Sequence, residues 1–267
     1  MRVAVSLLQK LQMNSIINYI KNKIEYSPDL AIVLGSGLSG LQNILNNKII
    51  IKYNDIPGYY STTVKGHDGK FVFGNFKNKY ILMAVGRFHY YEGLSVNQVG
   101  LPIQIFHTLK CKNIIITNSS GCLQSNWNLG DVMIIDGHYD YTFRKNTKDP
   151  ELVEGNDYYN NKLINLTINN NPKVRLGKYG WVLGPMYETK GEILNMKKHG
   201  VNAVGMSTIP EVLMAHKLKI NILALALMSN YAVGLTTDNL NHDIVLKNSI
   251  KHNQNFELLL IKIITKI

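Results

Sequence analysis

Leu7, Leu8, Leu11, Ile16, Ile17 and Ile20 recur at helical spacing, and Pro28 closes that stretch. Residues 1–27 therefore read as a helical lead-in. The next run, Leu30-Ala31-Ile32-Val33-Leu34, is apolar without alternation, the mark of a strand covered on both faces. Further β-rich runs fall at residues 49–53, 71–76, 80–85, 113–117, 132–135, 180–183, 203–205 and 220–226. Helical patterns at residues 96–109, 188–199, 210–218 and 243–264 lie among them. The closing helix carries Ile244, Val245, Ile250, Leu259, Leu260 and Ile263 on one face. Apolar strands alternating with helices predict an α/β domain, a largely parallel or mixed sheet with helices on both faces. No repeat and no Gly/Ser/Pro-rich linker divides the chain, so residues 1–267 are expected to form one domain. The stretch 144–178, rich in Asn, Asp and Tyr, reads as an irregular surface excursion.

Composition narrows the function class. With 267 residues, 45% of them hydrophobic, the chain has ample material for a core, and disorder is excluded as the main state. The net charge of +11 comes from scarce acids: only 18% of residues are charged, and no five like charges adjoin. Such a diffuse positive field suits small anions as well as nucleic acid, and nothing else in the chain supports nucleic acid. Two cysteines, Cys111 and Cys122, cannot form a disulfide framework or a four-cysteine zinc site, so a reducing, cytoplasmic setting is expected. The first apolar stretch is too short and too broken for a signal peptide, and no run approaches membrane-spanning length.

Candidate chemistry gathers at strand ends. Gly35-Ser36-Gly37-Leu38-Ser39-Gly40 follows a buried strand and satisfies G-x-G-x-x-G, with Asp55 about 20 residues on. Taken alone, this turn is equally compatible with a dinucleotide fingerprint, an anion-binding loop and a tight turn that binds nothing. Its surroundings are more telling. Arg87, His89, Tyr91 and Glu92 follow the strand at 80–85, and His67 lies between strands. Singly, Arg87 is more often a surface ion pair and His89 a satisfied core histidine; together they supply a planar fork and an imidazole to one locus. Thr117-Asn118-Ser119-Ser120-Gly121 ends another strand in small polar residues, as where a ligand approaches the backbone. Thr208, Pro210 and Glu211 fit the start of a helix, Thr208 capping and Glu211 at the capping-box position. That would leave Ser207 at a positive helix end.

The motifs Gly35-Ser36-Gly37-Leu38, Gly66-His67, Gly86-Arg87-Phe88-His89-Tyr90-Tyr91-Glu92-Gly93, Thr117-Asn118, Gly184-Pro185-Met186-Tyr187-Glu188-Thr189, Val204-Gly205-Met206-Ser207-Thr208-Ile209-Pro210-Glu211, Ser229-Asn230 and Asn241-His242-Asp243 occur in order along nearly the whole chain. In that order they resemble the trimeric purine nucleoside phosphorylases. The resemblance implies a single-domain phosphorylase-type fold, a homotrimer, and reversible cleavage of a purine nucleoside by inorganic phosphate, without metal, nucleotide cofactor or membrane. It implies that Ser36, Arg87, His89, Ser119 and Ser207 hold phosphate, with His67 as a mobile gate. It further implies that Tyr91, Met206 and His242 hold ribose, and that Tyr187, Glu188 and Asn230 hold the base. Catalysis would rest on Asn230, Glu188 and His89, with 6-oxopurines the expected bases. Met206 and Tyr187 also suit core positions, Glu188 a helix N-terminus, and Asn230 a strand end.

This chain departs from the family pattern at Ser119-Ser120-Gly121-Cys122, where Ala-Ala-Gly-Gly is usual, and at Lys65, where Pro is common. Tyr158 or Tyr159 would be the aromatic offered to a neighbouring subunit. A methylthioadenosine phosphorylase resembles the pattern too, but has Asp near Asn230 and a smaller residue in place of His242. A dinucleotide-dependent oxidoreductase and a noncatalytic nucleotide-binding protein are the alternatives from other classes.

Overall fold

The runs read as strands all join one sheet of ten strands. The computed structural model describes residues 2–62, 64, 68–236 and 241–267, with the backbone alone for residues 2–9. In chain order these form α1 (Arg2–Lys21), β1 (Leu30–Leu34), β2 (Asn46–Lys52), β3 (Lys70–Phe76), β4 (Lys79–Val85), α2 (Val96–Val99), α3 (Leu101–Thr108), β5 (Asn113–Cys122), β6 (Val132–Asp140), β7 (Glu151–Glu154), α4 (Asn161–Asn170), β8 (Arg175–Trp181), α5 (Lys190–Lys198), β9 (Val201–Gly205), α6 (Ile209–Lys217), β10 (Asn221–Tyr231) and α7 (His242–Lys266). Among the described residues no helix is long and apolar enough to cross a membrane.

The sheet is mixed, and part of it closes on itself. Strand β5 pairs with β10, β10 with β6, β6 with β8, β8 with β9, and β9 returns to β5. From the first half of β5 the order β1, β4, β3, β2 runs outward. Helices α4 and α7 pack together and on β10, and α6, against which α2 and α3 pack, also lies on β10. Helical cover from two groups explains why β10 is buried at nearly every position, and β1, central between β4 and β5, is buried at every one.

One strand organises the functional region. Along one edge β5 pairs with β10 over its whole length, from Asn221↔Asn113 to Tyr231↔Cys122. Along the other edge β1 reaches only Ile116, and β9 begins only at Gly121. Residues 117–120 thus meet no strand on that edge, and of them Asn118 and Ser119 line a cleft. Thr117 bridges part of the gap, its Oγ1 accepting from Gly35 N at 3.2 Å and donating to the Val33 carbonyl at 2.9 Å.

Several expectations are corrected. The helix expected over 96–109 is two, α2 and α3, parted at Gly100. Pro102 has no N–H to continue the ladder, and a Cβ at Gly100 would come 2.8 Å from Met214 Cβ on α6. The excursion at 144–178 holds β7, α4 and the first half of β8. Its Asn-rich composition conceals α4, which is capped by Asn160 Oδ1 accepting from Leu163 N at 3.1 Å and buries Leu163, Ile164 and Thr167. Tertiary packing rather than propensity forms this helix. Tyr159 is no subunit-crossing aromatic: it is 1% exposed and lies 2.6 Å from His138 Nδ1. Tyr158 stacks on His216 of its own chain, ring centroids 3.8 Å apart.

Candidate active site

The paired carboxyl ends of β1 and β4 start the site. Register Leu34↔Val85 sets Ser36 and Arg87 beside each other, each two residues past its strand. The glycine-rich turn is pressed on β5, since a Cβ at Gly35 would lie 2.8 Å from Asn118 Cα and 2.9 Å from the Thr117 carbonyl. It runs into a short 3-10 turn, Ser39–Ile44, and then into β2, which pairs antiparallel with β3. A dinucleotide fold requires a long helix there and a parallel second strand. Asp55 is exposed in a second 3-10 turn, so the oxidoreductase reading fails on architecture.

Arg87 is 1% exposed, and its guanidinium is held on two sides. Nε donates to Glu211 Oε1 at 3.0 Å, and Nη1 to Ser207 Oγ at 3.1 Å and to Thr208 Oγ1 at 3.5 Å. Among the described residues Nη2 has no hydrogen-bond partner, so one fork of a buried cation is left for a ligand. This corrects the capping expectation for α6. Thr208 makes no side-chain cap, and Glu211 spends its carboxylate on Arg87 instead. Thr208 sits at φ 75°, ψ −48°, with Ile209 N donating to the Ser207 carbonyl at 2.8 Å. That is a γ-turn of the rare, strained hand, and it turns Ser207 toward Arg87.

His89 is fixed by a 3-10 turn, Tyr90–Glu92, whose Glu92 Oε1 accepts from His89 N at 2.7 Å and lies 3.2 Å from Nδ1. Burial lowers the His89 pKa, against the opposing pull of Glu92, so the ring is neutral at neutral pH. Tyr91 stacks on it at 4.8 Å. Burial pushes the Tyr91 hydroxyl up to about 12, which keeps it a donor.

The opposite wall comes from β10 and the β8–α5 loop. The parallel register of β5 and β10 slips between Met228 and Asn230, a bulge at Ser229 that sets Asn230 against Gly121. Bulges re-aim side chains next to active sites. Asn230 Oδ1 accepts from Ser229 Oγ at 2.8 Å and Nδ2 donates to the Tyr231 carbonyl at 3.1 Å. The amide is therefore held with a second N–H to offer. Glu188 is buried just ahead of the Thr189–Glu192 capping box that starts α5, so it does not cap the helix. Burial raises its pKa.

One cleft is lined by Ser36, Arg87, His89, Tyr91, Ser119, Tyr187, Glu188, Met206, Ser207, Asn230 and His242. These are all the expected site residues except His67, which lies outside the described residues. Sequence reasoning missed Val64, Asn118, Gly121, Val204, Gly205 and Val245 on the same walls, and Glu211 behind Arg87. Asn118, Gly121, Val204, Gly205 and Glu211 stood in motifs without being assigned to the site, whereas Val64 and Val245 carried no signal. Donors and one fixed cation thus share a cleft with a carboxylate and an amide, the pairing needed to hold an anion against a neutral heterocycle.

Comparison with known proteins places this arrangement. The family model for the Phosphorylase superfamily matches residues 29–265. The chain is 34% identical over 254 residues to purine nucleoside phosphorylase 1 of Geobacillus stearothermophilus, covering 89% of this chain and 91% of that one. It is 33% identical over 240 residues to purine nucleoside phosphorylase 1 of Bacillus subtilis (strain 168), covering 86% and 89%. The crystal structure of Schistosoma mansoni purine nucleoside phosphorylase in complex with inosine matches with a TM-score of 0.85 at 29% identity over 96% of both chains. Fold and cleft define an enzyme of the phosphorylase class, and the chain belongs to the Phosphorylase superfamily. Within it the chain stands among the purine nucleoside phosphorylases, which are pentosyltransferases.

Proposed function

We propose that the enzyme splits 6-oxopurine ribo- and deoxyribonucleosides, inosine and guanosine, with inorganic phosphate as co-substrate and no other cofactor, as a cytoplasmic homotrimer. The observation that carries this reading is the free Nη2 of buried Arg87 in a cleft that Glu188 and Asn230 also line. Phosphate rests on Arg87, Ser36, Ser119, Ser207 and His89, with His67 as its gate. An oxygen of that anion attacks C1′ of the sugar while the bond to purine N9 breaks and its electron pair passes into the base. Arg87 stays paired with Glu211, so its charge is oriented before the anion arrives. Tyr91, Met206 and His242 position the sugar, and Tyr187 stacks on the base. Asn230 donates to N7 as negative charge grows there, and the Glu188 carboxylate accepts from N1–H, which 6-oxopurines possess and neutral adenine lacks. Positioning and electrostatics supply the rate, with no covalent intermediate.

The test is release of hypoxanthine and ribose 1-phosphate from inosine with and without phosphate, repeated with guanosine and adenosine. Turnover should require phosphate and favour inosine and guanosine. Cleavage without phosphate, or a preference for adenosine, would overturn the reading. Light scattering tests the trimer, which a fully active monomer refutes.

A further inference from the structure

We infer that Ser120 is a positioning residue for the phosphate site, setting the direction of a buried hydrogen-bond chain that ends on the anion; the inference rests on the phosphorolysis reading. Side chains alternate along β5. Thr117 and Ser119 serve the glycine-rich turn, through Gly35 N and through Ser119 Oγ donating to the Ser36 carbonyl at 2.9 Å. Asn118 and Ser120, both 2% exposed, serve the start of α6 instead. Ser120 Oγ donates to Asn118 Oδ1 at 2.5 Å, and Asn118 Nδ2 donates to Thr208 Oγ1 at 2.6 Å.

The two ends of an amide have nearly the same shape, so its orientation follows from what each end meets. Asn118 Oδ1 is the acceptor for the proton of the buried Ser120 hydroxyl. Turning the amide over would leave that proton without an acceptor. In the orientation found, Thr208 Oγ1 receives N–H groups from Asn118 and, at 3.5 Å, from Arg87. Its own proton is then directed to Ser207 Oγ, 3.4 Å away. Ser207 accepts from Arg87 Nη1 at 3.1 Å, lies beside the buried Tyr179 hydroxyl and lines the cleft, where its proton can turn to an anion. Ser120, Asn118, Thr208 and Ser207 therefore all donate in one direction, and the last donor faces the anion. With the amide reversed, Thr208 would donate back to Asn118 and the chain would no longer polarise Ser207.

The closing experiment measures steady-state kinetics of Ser120→Ala and Ser120→Thr beside the unaltered enzyme, varying phosphate and inosine separately. Loss of the hydroxyl frees the Asn118 amide to take either orientation. For Ser120→Ala the KM for phosphate should rise about fivefold while the KM for inosine stays within twofold, and Ser120→Thr should restore the phosphate value. Asn118→Asp, whose carboxylate cannot donate to Thr208, should raise the phosphate KM further and gives an independent reading if a Ser120 variant folds poorly. An unchanged phosphate KM in Ser120→Ala, or an equal rise in both KM values, overturns the inference. Absence of phosphate-dependent turnover in the unaltered enzyme overturns the functional reading instead.

Discussion

Arg87 has two tasks that a single substitution confounds. Its side chain and that of Glu211 are 2% and 1% exposed and meet at 3.0 Å. Removing one partner of such a pair leaves a buried charge uncompensated, which costs about 3–5 kcal/mol, whereas replacing both by apolar groups is often near neutral. Arg87→Met should therefore lower the thermal midpoint by roughly 6–20 °C, at about 2–4 °C per kcal/mol for a domain of this size. It also removes the Nη2 donor. A hydrogen bond to a charged group contributes about 1.5–3 kcal/mol, so the phosphate KM should rise roughly 10- to 150-fold. Arg87→Met combined with Glu211→Leu separates the tasks: most of the lost stability should return and phosphate affinity should not. Differential scanning fluorimetry and phosphate-saturation kinetics on the three variants read the two effects independently. If the double variant regained phosphate affinity together with stability, the guanidinium would be a scaffold element and the anion site would lie elsewhere.

Three further outcomes are expected. Asn230→Asp exchanges the N–H offered to N7 for an acceptor, so kcat/KM for inosine should fall by roughly 10- to 150-fold while the adenosine-to-inosine ratio rises; an unaltered ratio would place base selection on another side chain. Because burial raises the Glu188 pKa, acceptance from N1–H is lost as pH falls through that raised value, and the acid limb of kcat/KM for inosine should lie above the ordinary carboxylate range and vanish in Glu188→Gln. Burial lowers His138 to about 4 from 6.5, so the unfolded chain binds the extra proton between those values. Stability should be complete above pH 6.5 and fall by about 3 kcal/mol toward pH 4, which urea unfolding of the native chain against His138→Gln will show as a difference confined to that window.

The sequence-to-structure relation is uneven for a physical reason. β1 is apolar and buried throughout and β4 from Ile81 to Val85, and their limits are legible to within a residue. Ser36, Arg87 and His89 stood out because they follow such strands, whereas the full set of site residues came from the family resemblance. The runs expected at 113–117 and 220–226 are shorter than β5 and β10, which continue through the polar residues Asn118-Ser119-Ser120 and Ser229-Asn230. Those residues stay in strands because the two strands pair with each other along their full length. Hydropathy reports burial against apolar neighbours, and here the neighbours are polar groups bonded to one another. The Arg87–Glu211 pair, 124 positions apart, carried no local signal. The capping-box pattern at Thr208 misled because Arg87 competes for the carboxylate that would have closed the box.

The same pairing explains why the cleft lies where it does. A strand flanked on both edges has no backbone group to spare, but β5 passes from β1 to β9 on one edge with residues 117–120 between them. Those four residues must satisfy their side chains locally, and they do so through Gly35, Ser36 and Thr208. Each of those contacts belongs to a segment that also brings a ligand group: Ser36 itself, Ser207 beside Thr208, and Arg87 against both. The bulge at Ser229 adds Asn230 opposite Gly121, where a Cβ would come 3.3 Å from its Nδ2. The proposed anion donors and base-facing amide are thus gathered around one strand, β5, which is left unpaired along part of one edge. A substitution that let β1 or β9 extend along that edge would be expected to stabilise the sheet and close the cleft, which is why the polar, small-residue run at 117–121 belongs to the chemistry of this chain rather than to its core.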